Sequence, residues 1–208
     1  MLRITGIPLY RMTHIENVAH ILQNGITHRN SPRRNENYVP IGDGSLISAR
    51  NAFLAPTGRA LGDYTPFYLG TRMPMLYVIQ KGHNGVSRVF PDNIVYCVTS
   101  VERIISAGLE FVFTDGHAVD ALTQFFDLND VERLSRIVDW KAVNAKYWRD
   151  ENDLDLKRRK EAEFLVLGDL PVSAIEGFIV FSVSAGEQIR RMRRYNNQAI
   201  DVNPNCYF

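Results

Sequence analysis

Apolar residues come in short runs along this chain, and run length is what most limits the fold. Residues 67–70, 75–79, 94–98, 111–115, 164–167 and 178–181 are largely apolar stretches bounded by Gly, Pro or charged residues. Runs that short predict strands. Pro66 and Pro74 stand at the mouths of the first two, where a strand tolerates a missing N–H. Helical spacing marks other segments. Ile15, Val18, Ile21 and Leu22 repeat at helical intervals up to a Gly25 stop, with Thr13 as cap and Glu16 three residues on. Residues 101–108, 119–126, 129–137 and 140–148 also carry helical patterns, and 189–195 forms a basic amphipathic segment. Strands and helices mix without strict alternation, so the expected class is α+β. A length of 208 residues suits one domain, and a 45% hydrophobic share can build its core.

A net charge of +1 argues against a histone-like polyelectrolyte. The cations are clustered, however: Arg29, Arg33 and Arg34, then Lys157 to Lys160, then Arg190, Arg191, Arg193 and Arg194. Such patches on a near-neutral body predict a localised anion site. The two cysteines, Cys97 and Cys206, are far apart and lack metal-like spacing, and Cys97 lies in an apolar run that suits an inert buried thiol. The N-terminus lacks the apolar core of a signal peptide, and no stretch approaches the ~20 apolar residues of a membrane span. The expectation is a soluble, cytoplasmic protein. There is no Gly-x-Gly-x-x-Gly fingerprint, no Walker loop and no zinc spacing, so no metal is expected.

Residues 26 to about 60 are rich in Asn, Pro, Gly and Arg and nearly aperiodic, which in a compact domain points to function. Arg50 lies inside this segment, and a guanidinium binds phosphate through two parallel hydrogen bonds. Tyr10-Arg11-Met12-Thr13-His14 sits where a strand yields to a helix, a place that offers backbone N–H groups to a ligand. Tyr64, Phe67, Tyr68 and Tyr77 are open to two readings: π-faces for a flat heterocycle, or core aromatics. Arg72 punctuates two apolar runs. The run Leu156-Lys157-Arg158-Arg159-Lys160-Glu161-Ala162-Glu163-Phe164 sets four cations before two carboxylates at the head of a predicted strand. A metal-dependent nuclease core would place a lysine just after the strand carboxylate, where Phe164 stands instead.

Taken together, Tyr10–Asn17, Arg50-Asn51, Asp63–Tyr68, Arg72–Tyr77, Phe113–His117, Tyr147-Trp148 and Ala162–Val166 resemble, in order and across essentially the whole chain, the DarT family of DNA ADP-ribosyltransferase toxins. The resemblance implies an ADP-ribosyltransferase fold, a split mixed β-sheet with NAD held in its cleft and helices at the periphery. It implies NAD as substrate, single-stranded DNA as acceptor with thymine the expected base, and a macrodomain antitoxin, DarG, as partner. The family's catalytic glutamate falls on Glu163 and its required arginine on Arg50. Cofactor contacts fall on Arg11, Met12, Thr13, His14, His20 and Arg50. Residues 26–50 correspond to an NAD-covering loop and 117–163 to a region presenting DNA. Many members carry histidine where this chain has Arg11, which is harmless if the contact is made by backbone and consequential if by side chain.

A carboxylate at Glu163 would stabilise the oxocarbenium-like ribose as the nicotinamide bond breaks. A fixed cation at Arg50 would ease loss of the base proton or hold the pyrophosphate. Lys157, Arg158, Arg159 and Lys160 would neutralise DNA phosphates, with Glu161 belonging to that basic lip. Tyr147 and Trp148 would stack a base, or Trp148 would close a helix on the core. The rival readings are another acceptor (guanine, RNA or protein) and a catalytically silent NAD- or nucleic-acid-binding module.

Overall fold

The computed structural model describes residues 6–192 and 198–208. Arg193 and Arg194 of the third basic cluster, and the end of the amphipathic segment predicted over 189–195, lie outside the described residues. Among the described residues eight strands form one sheet: β1 (Pro8–His14), β2 (Tyr64–Tyr68), β3 (Ile94–Ser100), β4 (Phe111–Thr114), β5 (Phe125–Phe126), β6 (Glu163–Leu167), β7 (Gly177–Val180) and β8 (Ala199–Val202). Their order is β5-β4-β6-β2-β1-β3-β7-β8, antiparallel except for the parallel pair β7/β8, so the sheet is mixed. The helices are α1 (Val18–Asn24), α2 (Gly44–Ala49), α3 (Pro74–Lys81), α4 (Val101–Ser106), α5 (Leu134–Ile137), α6 (Trp140–Val143), α7 (Leu156–Lys160) and α8 (Val183–Met192).

The sheet is continuous in name but split in the middle. β1 registers with β3 over the whole strand, from Pro8↔Ser100 to His14↔Ile94, and β2 with β6 from Tyr64↔Leu167 to Tyr68↔Glu163. Between β1 and β2 a single pair, Tyr10↔Tyr68, is in register. Side-chain alternation explains what this seam does. Val95 and Cys97 of β3, with Phe111 and Phe113 of β4 and Phe164 and Val166 of β6, pack into one core that spans both halves of the sheet. On the opposite face the alternate residues form two separate clusters. Ile94, Tyr96 and Val98 pack with Leu76 and Ile79 of α3, whereas Val112 and Leu165 pack with Leu61 and Tyr64. One face therefore binds the halves together, and the other leaves a gap between them.

Several predicted elements differ. Residues 75–79 form helix α3 rather than a strand, because Pro74 occupies the first helical turn, where its missing N–H costs nothing, and Gly82 ends the helix at φ 71°. The helix expected over 119–126 is a turn followed by the short edge strand β5. Of 140–148 only Trp140–Val143 is helical. The expected Thr13 cap is instead His14, whose Nδ1 accepts the Glu16 N–H at 3.4 Å.

Candidate active site

A cavity of about 580 Å³ opens at the seam, within the range of about 300–1,000 Å³ usual for small-molecule sites. Met12, Met75 and Ile79 wall it on one side, Leu61 and Tyr64 on the other, with Tyr68 and Glu163 also on its lining. Tyr68 is the residue that makes the seam, pairing with Tyr10 across it and with Glu163 on the next strand. Burial first, then the nearby Glu163 and Glu161 carboxylates, push its hydroxyl well above the ordinary tyrosine range.

Glu163 opens β6 and is 1% exposed. Its Oε1 accepts the Ala118 N–H at 2.9 Å, and its Oε2 pairs with Arg50 Nη1 at 2.9 Å. His117 Nε2 stands 3.9 Å from Oε1. Behind it, Thr114 Oγ1 accepts the Glu163 N–H at 3.0 Å and donates to the Gly116 carbonyl at 2.6 Å, joining β6 to the turn after β4. Each carboxylate oxygen is thus held by a named donor, as a buried ion requires.

Arg50 follows the last residue of α2. That helix is short and depends on its cap: Asp43 Oδ1 accepts from the Ser45 and Leu46 N–H groups at 2.8 and 3.4 Å. The Arg50 N–H returns to the Leu46 carbonyl at 3.1 Å, and the Arg50 carbonyl accepts from Gly62 N at 3.1 Å, which fixes the backbone at the rim. Arg50 Nη2 is buried and without a hydrogen-bond partner among the described residues. A buried guanidinium nitrogen left over beside a cavity is a donor waiting for an acceptor.

The part of the segment 26–50 that precedes α2 is irregular yet pinned at several points. Buried Asn17 donates to Thr13 Oγ1 at 3.0 Å and to the Val39 carbonyl at 2.8 Å, while its Oδ1 accepts from Val39 N at 2.9 Å and Asn35 Nδ2 at 3.4 Å. Asp169 accepts from His28 N and Ser31 Oγ, both at 2.7 Å. From this segment Arg29, Arg34, Tyr38, Ile41 and Leu46 reach the cavity wall.

Of the predicted cofactor residues, Arg11, Met12 and Arg50 line the cavity with Glu163; Thr13, His14 and His20 do not. Thr13 spends its hydroxyl on Asn17, and His14 caps the turn before α1. The Arg11 side chain is structural, since its Nη1 donates to the Pro66 carbonyl at 3.0 Å and bridges β1 and β2 where the ladder is thin.

The basic run departs most from expectation. Lys160 is 1% exposed, its Nζ donating to the carbonyls of Val143 and Ala145 at 2.9 and 2.7 Å, and burial lowers its pKa to about 8. Arg158 binds both oxygens of Asp155, at 2.7 and 2.9 Å, and Asp115 at 2.9 Å. Arg159 pairs with Asp139, Asp153 and Asp155. Of the four cations of this run, Lys160 is buried, Arg158 and Arg159 are part-buried in ion pairs with aspartates, and Lys157 is exposed. Glu161 is no lip residue: it is 6% exposed, and burial raises its carboxyl above the ordinary range. Trp148 packs edge-on against Tyr77 and Phe208, at 5.6 and 5.7 Å between ring centroids, whereas Tyr147 is 69% exposed. Arg72 stacks its guanidinium 4.7 Å from the Phe208 ring centre, away from the cavity. His117 lines the cavity with no role assigned from sequence, the motif Phe113-Thr114-Asp115-Gly116-His117 being the available signal for it, and Tyr68, open there to a π-face or a core reading, lines the cavity too.

A mixed sheet split around a cavity, with a carboxylate and a guanidinium paired at the seam, is the architecture of an ADP-ribosyltransferase. The solved structure of Thermus sp. 2.9 DarT in complex with ADP-ribosylated ssDNA matches with a TM-score of 0.84 at 32% identity over 100% of both chains, and the same protein in complex with NAD+ matches at 0.79. The DNA ADP-ribosyl transferase of Thermus sp. (strain 2.9) is 36% identical over 189 residues, 89% of this chain and 86% of that protein. A DNA ADP-ribosyl transferase–DNA ADP-ribosyl glycohydrolase fusion protein of Thermosipho africanus (strain H17ap60334) is 28% identical, covering 96% of this chain and 48% of the fusion. The family model described as "DarT: ssDNA thymidine ADP-ribosyltransferase" matches residues 10–208. The chain belongs to the DarT family.

Proposed function

We propose that this enzyme transfers ADP-ribose from NAD to thymine in single-stranded DNA, with Glu163 and Arg50 as its catalytic pair. The observation that carries the assignment of roles is the buried Glu163 carboxylate at the seam, held on one side by Ala118 N–H and on the other by Arg50. The nicotinamide–ribose bond breaks and nicotinamide leaves with the electron pair as a neutral molecule. Positive charge then builds on the ribose carbon, where the Glu163 carboxylate stabilises it and binds a ribose hydroxyl. The ring nitrogen of thymine forms the new bond and releases its proton to solvent. Arg50 cannot take that proton; its fixed charge makes the N–H more acidic, and its unfilled Nη2 is the donor for a base carbonyl or a phosphate oxygen.

On this reading residues 26–50 cover NAD and 117–163 present DNA, all within a single domain. Met12 and Arg11 form the nicotinamide side of the cavity, the latter by holding β1 to β2. Lys157 and Tyr147, both exposed, are the groups that would meet the DNA; an unpaired base spares the enzyme the cost of opening a duplex. The fusion relative supports a DarG-type macrodomain as partner. Among the described residues no helix is long and apolar enough to cross a membrane, and the cytoplasm, which holds NAD and chromosomal DNA, is the proposed place of action. Mass spectrometry of a thymine-containing oligonucleotide after incubation with NAD should show one added ADP-ribose with the native protein and none with Glu163→Ala. Robust labelling by Glu163→Ala would overturn the assignment, and labelling of a thymine-free oligonucleotide, RNA or protein alone would change the acceptor.

A further inference from the structure

We infer that Arg158 is a positioning residue for the Glu163 carboxylate, an inference that rests on Glu163 being the catalytic acid. Arg158 lies on α7, outside the cavity lining, and touches none of the atoms that react. Its guanidinium is a clamp with two jaws. One jaw holds its own helix, through Nε and Nη2 to the two oxygens of Asp155. The other holds the turn after β4, through Nη1 to Asp115 Oδ1 at 2.9 Å and to Thr123 Oγ1 at 3.3 Å. The backbone adds a third tie, the His117 N–H donating to the Arg158 carbonyl at 3.0 Å.

What this fastens is the stretch from Asp115 to Ala118. The next N–H after His117 belongs to Ala118 and donates to Glu163 Oε1, and the His117 ring faces the same oxygen. The turn therefore places two of the three groups around the carboxylate, and Arg158 places the turn. Gly116 shows how close the fit is. A Cβ there would run into Arg158 Nη1 and would lie 3.0 Å from the Arg158 carbonyl oxygen, although the Gly116 backbone is in a conformation open to any residue. Arg159 is the natural control. It sits on the same helix and is as heavily paired, but its partners Asp139, Asp153 and Asp155 do not include the turn.

The test is steady-state kinetics on folded variants with NAD and a thymine-containing oligonucleotide, alongside thermal melting. Arg158→Lys keeps the charge but cannot span both jaws; Gly116→Ala keeps Arg158 and displaces its guanidinium. Each should lower kcat by roughly 30-fold with KM for NAD within about twofold, since a small misplacement near reacting atoms costs up to about a hundredfold. Because both make one lesion, the double variant should be no worse than the weaker single. Arg159→Gln should lower Tm without this loss of kcat. Native kcat in folded Arg158→Lys or Gly116→Ala, an additive double variant, or an equal kcat loss in Arg159→Gln would each overturn the inference. Glu163→Gln, run in parallel, separates the two levels: if it retains transfer, the catalytic assignment fails; if it is dead while Arg158→Lys is native, only the positioning role fails.

Discussion

Two cation-bearing regions, the C-terminal end of α2 and the helix α7, use arginine in opposite ways. At α7 the donors of Arg158 and Arg159 are spent on four aspartates, Asp115, Asp139, Asp153 and Asp155, and Lys160 is spent on two carbonyls. At α2, Arg50 has one strong partner, Glu163, and a buried Nη2 with none among the described residues. Cations with filled hydrogen-bonding capacity hold a fold together; a buried one with capacity left over, beside a cavity, is poised for a ligand. Density of charge in the sequence points to the first region, and unmet hydrogen-bonding capacity in the structure points to the second.

The sharpest way to break this comparison is Arg50→Lys. It keeps the charge opposite Glu163 but loses the second nitrogen, so transfer to the oligonucleotide should fall by roughly 10²–10³, the usual cost of one directed donor in an active site. Lysine is too short and too round to replace the fork. If single-turnover rates in Arg50→Lys matched the native enzyme, the unfilled Nη2 would have no part in the reaction. A smaller effect is expected where the segment proposed to cover NAD is anchored. Asn17→Ala removes the side chain that ties residues 35 and 39 to β1 and α1, and should raise KM for NAD about tenfold with kcat little changed. A fall in kcat at constant KM would mean that the segment shapes the chemistry rather than the holding of NAD.

The fold is more legible than the site, for reasons visible in particular residues. β3, β4, β6 and β7 are buried apolar runs, and such strands announce themselves. The run Met75–Ile79 is equally apolar but alternates between the core and the cavity as a helix; Pro74 suits either reading, and only tertiary packing decides. β5 and β8 are half-exposed edges with little pattern to read. At the site, Glu163 and Arg50 are marked by the order of several motifs together. The ion pairing of Arg158 and Arg159 and the burial of Lys160 are hidden for a plain reason. The partners of Arg158 alone lie between three and 43 positions away along the chain, and a charge run carries no sign of what will neutralise it.

Glu161 gives the comparison a pH axis. The carboxyl is buried beside Glu163, and burial raises its pKa above the ordinary value of 4.5. The unfolded chain releases the proton first, so ionisation favours unfolding, and stability contributed by the protonated form is lost as pH rises from 4.5 through the folded-state value. Glu161→Gln removes that titration. Its Tm relative to native should therefore increase as pH rises through that window, by a few degrees at most. A Tm difference flat across the same window would show that Glu161 does not titrate in the folded protein above its ordinary range.

The smallest effect belongs to Lys157, the most exposed residue of the basic run on α7. Each phosphate contact to a single strand contributes roughly 0.7 to the slope of log affinity against log salt. Lys157→Ala should therefore flatten that slope for oligonucleotide binding by roughly 0.7, while Arg159→Gln should leave it alone because that guanidinium already neutralises aspartates. The two variants remove the same formal charge from the same helix turn, so net charge cannot explain a difference between them. Equal flattening in both would mean that α7 acts on DNA through its summed field, and the distinction between spent and unspent cations would not extend to the DNA-facing surface.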